Sequence, residues 1–200
     1  MEIISSKDNK KIKEARKLLT KKYRKNSYLI EGFHLLEEAL KAGRSIKQIF
    51  VEENKLTKLT EMIGSEKLLT DLSVNLVSKE VLKSLADSES PQGLIAEVTK
   101  IEEVIDFSAA KFLLLENVQD PGNVGTMIRT ADAAGFSAVI LLGETADIYS
   151  PKVMRSMQGS NFHLPLVRMA KEDCFAQLKK AGISISVSYT HLRAHETRED

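Results

Sequence analysis

The chain has no tryptophan, a single cysteine and four prolines among its 200 residues, and aromatics make up only 6% of it. The lone Cys174 excludes an internal disulfide; it fits a reducing compartment and reads as a small buried hydrophobe. No apolar run approaches the roughly 18 residues that a membrane-spanning helix needs. The opening, MEIISSKDNKKIKEARK, is basic and lacks the apolar stretch of a secretory signal, so a cytoplasmic location is expected. Charge of one sign is also missing overall, with a net charge of +1. What remains, 42% hydrophobic and 28% charged residues, is the composition of a folded chain with a real core rather than a disordered one.

The charges are distributed unevenly. Between Lys7 and Lys25 there are ten Lys or Arg against two acids. Such a segment is either a solvated helix face or a contact for a polyanion, and Lys10, Lys11, Lys21, Lys22 and Arg24 are its candidate polyanion-facing cations. Ile12, Ala15, Leu18 and Leu19 form a narrow apolar stripe and predict one basic helix over 7–25. SYLIE then predicts a strand, followed by Gly32 and a helix closed by Gly43; IKQIFVEE and VNLVSK predict strands, and KEVLKSLADS a helix. The turn SPQG and the strand LIAEVTK complete a first α/β unit over 1–100.

A second unit is expected over 107–187. Strands at 112–115, 138–142, 162–167 and in ISISV alternate with helices at 124–134, 151–157 and 171–180, a pattern that predicts a parallel sheet with right-handed crossovers. Leu113 to Leu115 suit a strand buried on both faces. The loop QDPGN follows that strand, at the end of a parallel sheet where ligands gather. Asn123 is a good N-cap residue for the next helix. Val124, Met127, Ile128, Ala131 and Ala134 predict its core stripe. Gly125 would leave the backbone open to a ligand, and Arg129 lies off the stripe. Two readings fit these residues: a capped crossover with a solvated arginine, or an anion or ribose site with Arg129 as its charged arm. GNVG lacks the G-x-G-x-x-G spacing of a dinucleotide fold, and Asp147 is a weak candidate for that fold's ribose-binding acid.

LLLENVQDPGNVGTMIRTADAAGFSAVILL closely resembles the first motif of the SpoU/TrmH family of RNA ribose 2′-O-methyltransferases, within the SPOUT class. Asn123, Gly125, Arg129, Ala131 and Gly135 match its N-x-G-x-x-x-R-x-A-x-x-x-G pattern. SPKVMRSMQGSNFHLPLV resembles the next segment, with Arg155, Ser156, Gly159 and Pro165 in place. NKKIKEARKLLTKKYRKNSYLIEGFHLLEEALKAG and SPQGLIAEV resemble the family's substrate-binding domain, of which Glu31 is a feature. The resemblance implies a small α/β RNA substrate-binding domain followed by a Rossmann-like, α/β-knot SPOUT domain with a parallel sheet. It implies S-adenosylmethionine as methyl donor, rRNA or tRNA as substrate, a homodimer, Asn123 and Arg129 as catalytic residues facing the ribose, and Glu31, Gly125 and Arg155 as RNA contacts. The competing reading is a non-catalytic RNA-binding module that uses the first domain alone.

The family's second and third motifs, which make the cofactor pocket and the knot, do not occur in the sequence. Cofactor residues are therefore expected beyond position 187, the second domain is expected to be incomplete and inactive as written, and SYTHLRAHETRED, residues 188–200, reads as a non-native tail. His191 and His195 lie four apart but without the Glu of a zinc-protease helix, so no metal is expected. His34 and His163 read as packed or surface histidines.

Overall fold

The computed structural model describes residues 2–64, 71–108 and 111–188. The first unit holds α1 (Lys10–Lys17), β1 (Ser27–Glu31), α2 (Phe33–Lys41), β2 (Ile46–Glu52), α3 (Leu56–Ile63), β3 (Val74–Val77), α4 (Lys79–Leu85) and β4 (Leu94–Thr99). The second holds β5 (Phe112–Glu116), α5 (Pro121–Ala133), β6 (Ala138–Leu142), α6 (Pro151–Met157), β7 (Leu166–Arg168) and α7 (Lys171–Lys180). The 188–200 tail, with its two histidines, falls outside the described residues except for Ser188.

The first sheet has the order β1-β4-β2-β3 and is mixed: β4 runs antiparallel to both β1 and β2, while β2 and β3 are parallel. The second is β5-β6-β7 and wholly parallel, as expected. Alternation along the strands assigns the faces. Leu29, Phe50, Val77 and Ile95 pack under α1 and α4. Tyr28, Ile30, Ile49, Val51, Ala96 and Val98 face the other way, into a core that continues into the second unit through Val124, Ile128, Met154, Met157 and Phe162. In β6, Val139 and Leu141 join that shared core, while Ile140 and Leu142 meet Cys174 and Leu178 of α7. Cys174 is fully buried, as its composition suggested.

Several boundaries differ from expectation. The basic helix ends at Lys17, where Leu18, Leu19 and Thr20 turn to i−3 hydrogen bonds, and a separate 3-10 turn spans Lys21–Tyr23. The buried-strand reading belongs to β6, which is buried throughout; β5 is an edge strand with only Leu115 fully buried. The expected 162–167 strand is displaced to Leu166–Arg168, after a 3-10 turn at Ser160–Phe162. ISISV is not a strand: among the described residues it joins no ladder, and 184–188 are exposed. Its alternation marks a sequence that can pleat, but pleating is stabilised only by a neighbour to pair with.

Candidate functional site

α5 begins three residues earlier than the sequence suggests. Asp120, not Asn123, is its N-cap, with the carboxylate accepting the Asn123 N–H at 2.7 Å, and Pro121 occupies the first helical position. Proline suits that position because its missing N–H would be unsatisfied there anyway. Asn123 therefore sits in the first turn with its side chain exposed. Val124, Ile128 and Ala131 are buried and Met127 is half-buried, but Ala134 lies outside the stripe and is exposed.

Gly125 has a different job from the one expected. It is buried against α6, where an added Cβ would lie 2.4 Å from the Ser156 Cβ and 3.0 Å from the Met157 backbone nitrogen. The missing side chain lets two helices approach rather than opening the backbone to a ligand. Ser156 fastens the contact by donating its hydroxyl to the Gly122 carbonyl at 2.9 Å.

Arg129 follows Gly125 by four residues, about 40° further round the axis. It is exposed and makes no ion pair or hydrogen bond among the described residues. Asn123 lies about 120° from Arg129 around the same axis and about 9 Å from it along the helix, so the two do not share a face. One turn beyond Arg129, Asp132 Oδ2 stands 3.3 Å from His163 Nδ1, and the other ring nitrogen stands 2.8 Å from Glu38 of α2. Partial burial pulls this imidazole down, but the Asp132 and Glu38 carboxylates outweigh that and hold it above its ordinary value. His163 thus bridges the two units at the flank of α5, and His34 adds a 3.1 Å contact to the Gln158 carbonyl.

Glu31 and Arg155 line one narrow crevice between the units, together with Leu35, Asp87, Pro151 and Met154. Glu31 accepts the Ser88 hydroxyl at 2.6 Å, and Arg155 reaches Asp87 at 2.9 Å. The other terminal nitrogen of Arg155 is buried and has no partner. Asp87 and Ser88 escaped the sequence reading; their only signal was the bend-rich DSESPQG stretch.

The cations of the first unit divide. Lys10, Lys21 and Lys22 are exposed, and Lys11 is exposed while donating to the Asn75 side-chain oxygen at 2.7 Å. Arg24 is the correction. It is only 6% exposed, ion-paired to Asp147 at 2.7 Å and donating to the Leu18 carbonyl at 2.7 Å, so its charge is not offered to a polyanion. Asp147, considered above as a ribose-binding acid, is consumed by the same pair.

At the carboxyl end of the second sheet the loops satisfy themselves. Arg168 donates to the carbonyls of Gly143, Thr145 and Ala146 at 2.7, 2.6 and 3.2 Å. The Thr145 hydroxyl lies 2.8 Å from both the Leu115 and Leu142 carbonyls, and the Asn117 side-chain oxygen accepts the Glu144 N–H at 2.9 Å. None of the buried unpartnered polar atoms among the described residues lies in these loops.

A basic α/β unit is thus fused to a parallel sheet whose helices α5 and α6 cross closely at Gly125 and Ser156. Residues 9–96 match the MRM3-like substrate binding domain and residues 110–199 the SpoU rRNA Methylase family. The chain is 42% identical over 187 residues to the 23S rRNA (guanosine(2553)-2'-O)-methyltransferase RlmP of Bacillus subtilis, covering 92% of this chain and 72% of that protein. It is 33% identical over 147 residues to the human mitochondrial rRNA methyltransferase 3, covering 70% of this chain and 34% of that one. Among solved structures, the AdoMet-bound rRNA methyltransferase from Sinorhizobium meliloti superposes with a TM-score of 0.76 at 29% identity, over 90% of this chain and 69% of that one. The chain belongs to the SpoU family of rRNA 2′-O-methyltransferases.

Proposed function

We propose that the protein methylates a ribose 2′-hydroxyl of ribosomal RNA, with S-adenosylmethionine supplying the methyl group. Support for the substrate comes from the names of the Bacillus and human relatives, and support for the cofactor from the AdoMet-bound Sinorhizobium neighbour. The observation that carries the reading is Arg129: an exposed cation without a partner among the described residues, matching the family's motif, on a helix that packs on Ser156 at Gly125 and is bonded to it at Gly122.

A free ribose hydroxyl is a weak nucleophile at neutral pH, so its proton must be taken or shared as the oxygen attacks. A guanidinium stays protonated and cannot be the base. In this reading Arg129 clamps an RNA phosphate and polarises the hydroxyl beside it, and the neighbouring phosphate accepts the proton. Asn123 orients the ribose from the first turn of the same helix. Lys10, Lys11, Lys21 and Lys22 hold the RNA body, and Glu31 and Arg155 contact RNA at the mouth of the crevice. Rigid placement supplies much of the rate gain. No described residue is assigned to the cofactor. The working species in this reading is a cytoplasmic homodimer, which sedimentation would show at twice the chain mass.

The test is ribose methylation of an rRNA transcript by a protein that joins these residues to the family's second and third motifs, read by mass spectrometry. Arg129→Ala is expected to lower turnover by an amount equivalent to about 2.7–4 kcal/mol, the scale of a lost charge-assisted donor in a transition state, with cofactor affinity unchanged. Equal turnover in variant and parent would remove Arg129 from the chemistry, and transfer to tRNA alone would redirect the substrate.

A further inference from the structure

The Lys21–Asn26 stretch turns its residues in an unusual sense. The arginine points inward and the tyrosine outward. Tyr23 is 45% exposed, the most exposed aromatic ring among the described residues, in a chain where such rings are scarce. Its position is fixed from beneath. The Tyr23 N–H donates to the Thr20 carbonyl at 3.1 Å and the Arg24 N–H to the Lys21 carbonyl at 3.0 Å, closing the 3-10 turn. The Arg24 guanidinium is locked on Asp147 and on the Leu18 carbonyl, and the Lys100 ammonium donates to the Arg24 carbonyl. A ring on a turn this well tied loses little freedom when something settles on it.

What surrounds the ring is cationic. Tyr23 lines an open groove with Lys22, Lys25, Asn26, Ser27 and Lys47. The Lys22 ammonium lies 4.8 Å from the ring centroid, and Lys25 is exposed with no partner among the described residues. The nearby acid, Glu97, is buried and engaged: it accepts the Ser27 hydroxyl at 2.6 Å and the Gln48 amide at 2.7 Å, with Lys47 at 3.4 Å. A half-exposed ring flanked by three lysines matches a partner that carries flat π-faces at intervals along a chain of negative charge. Single-stranded RNA has that chemistry; an acidic peptide offers the charge without the regular faces.

We propose that Tyr23 is a stacking platform for an unpaired base of the RNA, with Lys22, Lys25 and Lys47 holding the adjoining phosphates. Tyr23 and Glu31 flank opposite ends of β1, whose four residue steps span about 13 Å, so the platform grips RNA away from the Glu31–Arg155 crevice. The proposal rests on the RNA reading above and deepens it.

The experiment measures binding of the 200-residue chain to a fluorescein-labelled oligoadenylate and to an abasic ribose-phosphate oligomer of equal length, across a salt series. Tyr23→Ala and Tyr23→Leu are expected to weaken oligoadenylate binding about 5- to 160-fold, the range for loss of one base–aromatic stack, with the salt slope unchanged. Tyr23→Phe keeps the face and binds as the parent does, and the abasic oligomer ignores all three changes. Replacing Lys22, Lys25 and Lys47 by alanine lowers the log–log salt slope by about 0.7 per contact. Parental affinity in Tyr23→Ala, equal losses with the abasic oligomer, retention in Tyr23→Leu, or equal competition by polyglutamate overturns the platform. So does a parent that binds neither oligomer. The methyl-transfer assay judges the enzyme separately: rRNA methylated normally by Tyr23→Ala sinks the platform and leaves the enzyme standing.

Discussion

The Lys21–Asn26 turn and the first turns of α5 each offer one arginine beside residues that suit a turn. In the first, Arg24 is drawn inside and paired to an acid 123 positions away in sequence. In the second, Arg129 stands in solvent, while the glycine one turn before it is the buried member. The lesson is about charge and access. A count of cations measures the field a segment can generate, but a cation buried in an internal ion pair, as Arg24 is, is not lent to a ligand. In the turn, the residues left available are lysines and a tyrosine.

This contrast can be broken by mutation. The largest effect is expected for Arg24→Ala, which strips the mostly buried Asp147 of its ion-pair partner and leaves it only the Tyr149 N–H and the field of Lys100; loss of one partner from a buried pair costs up to about 3–5 kcal/mol. Denaturant unfolding should show the loss, while the salt slope of RNA binding stays that of the parent wherever the variant remains folded. An RNA slope that falls without loss of stability would return Arg24 to the RNA surface.

A middle-sized effect is expected for Gly125→Ala. Alanine favours the helix by about 1 kcal/mol, but the new methyl collides with Ser156 and with the Met157 backbone, an overpacking cost of about 1–3 kcal/mol. The variant should be net destabilised, and adding Ser156→Gly should recover part of the loss in a double-mutant cycle. A stabilised single variant would mean that the helices have room to part.

The smallest stability effect belongs to Arg129→Ala, within about 0.5 kcal/mol as for other free surface positions, although the same change should cost most of the turnover. A large fall in stability would reveal an internal partner for Arg129.

Much of this was legible in the sequence, for local reasons. Val124, Ile128 and Ala131 recur at helical spacing and are buried; β6 is a short apolar run and is central; Cys174 is a small apolar residue and is buried on the face of α7 that meets β6. These are properties of neighbours in the chain. The misreadings concern distant partners or competition between good local choices. Arg24 and Asp147 meet only through the fold. The Glu31–Ser88 and Arg155–Asp87 pairs span 57 and 68 positions. Asp120 and Asn123 are both good N-cap residues, and Pro121 decides between them by fixing the first helical position, a signal present in the sequence and passed over. ISISV alternates well enough for a strand, but no described strand pairs with it. The mixed order of the first sheet depends on β4 inserting between β1 and β2, which no local pattern announces.

The core shared by the two units has a mechanical consequence. Tyr28, Ile30 and Leu35 of the first unit and Met154, Met157 and Phe162 of the second belong to one buried cluster. Swinging the units apart would bring that surface into water at about 25 cal/mol for each Å² exposed. The joint is therefore a weld and not a hinge. Widening the crevice is left to the rotamers of Arg155 and Asp87 at its mouth, and the shared core sets the spacing between Tyr23 and α5.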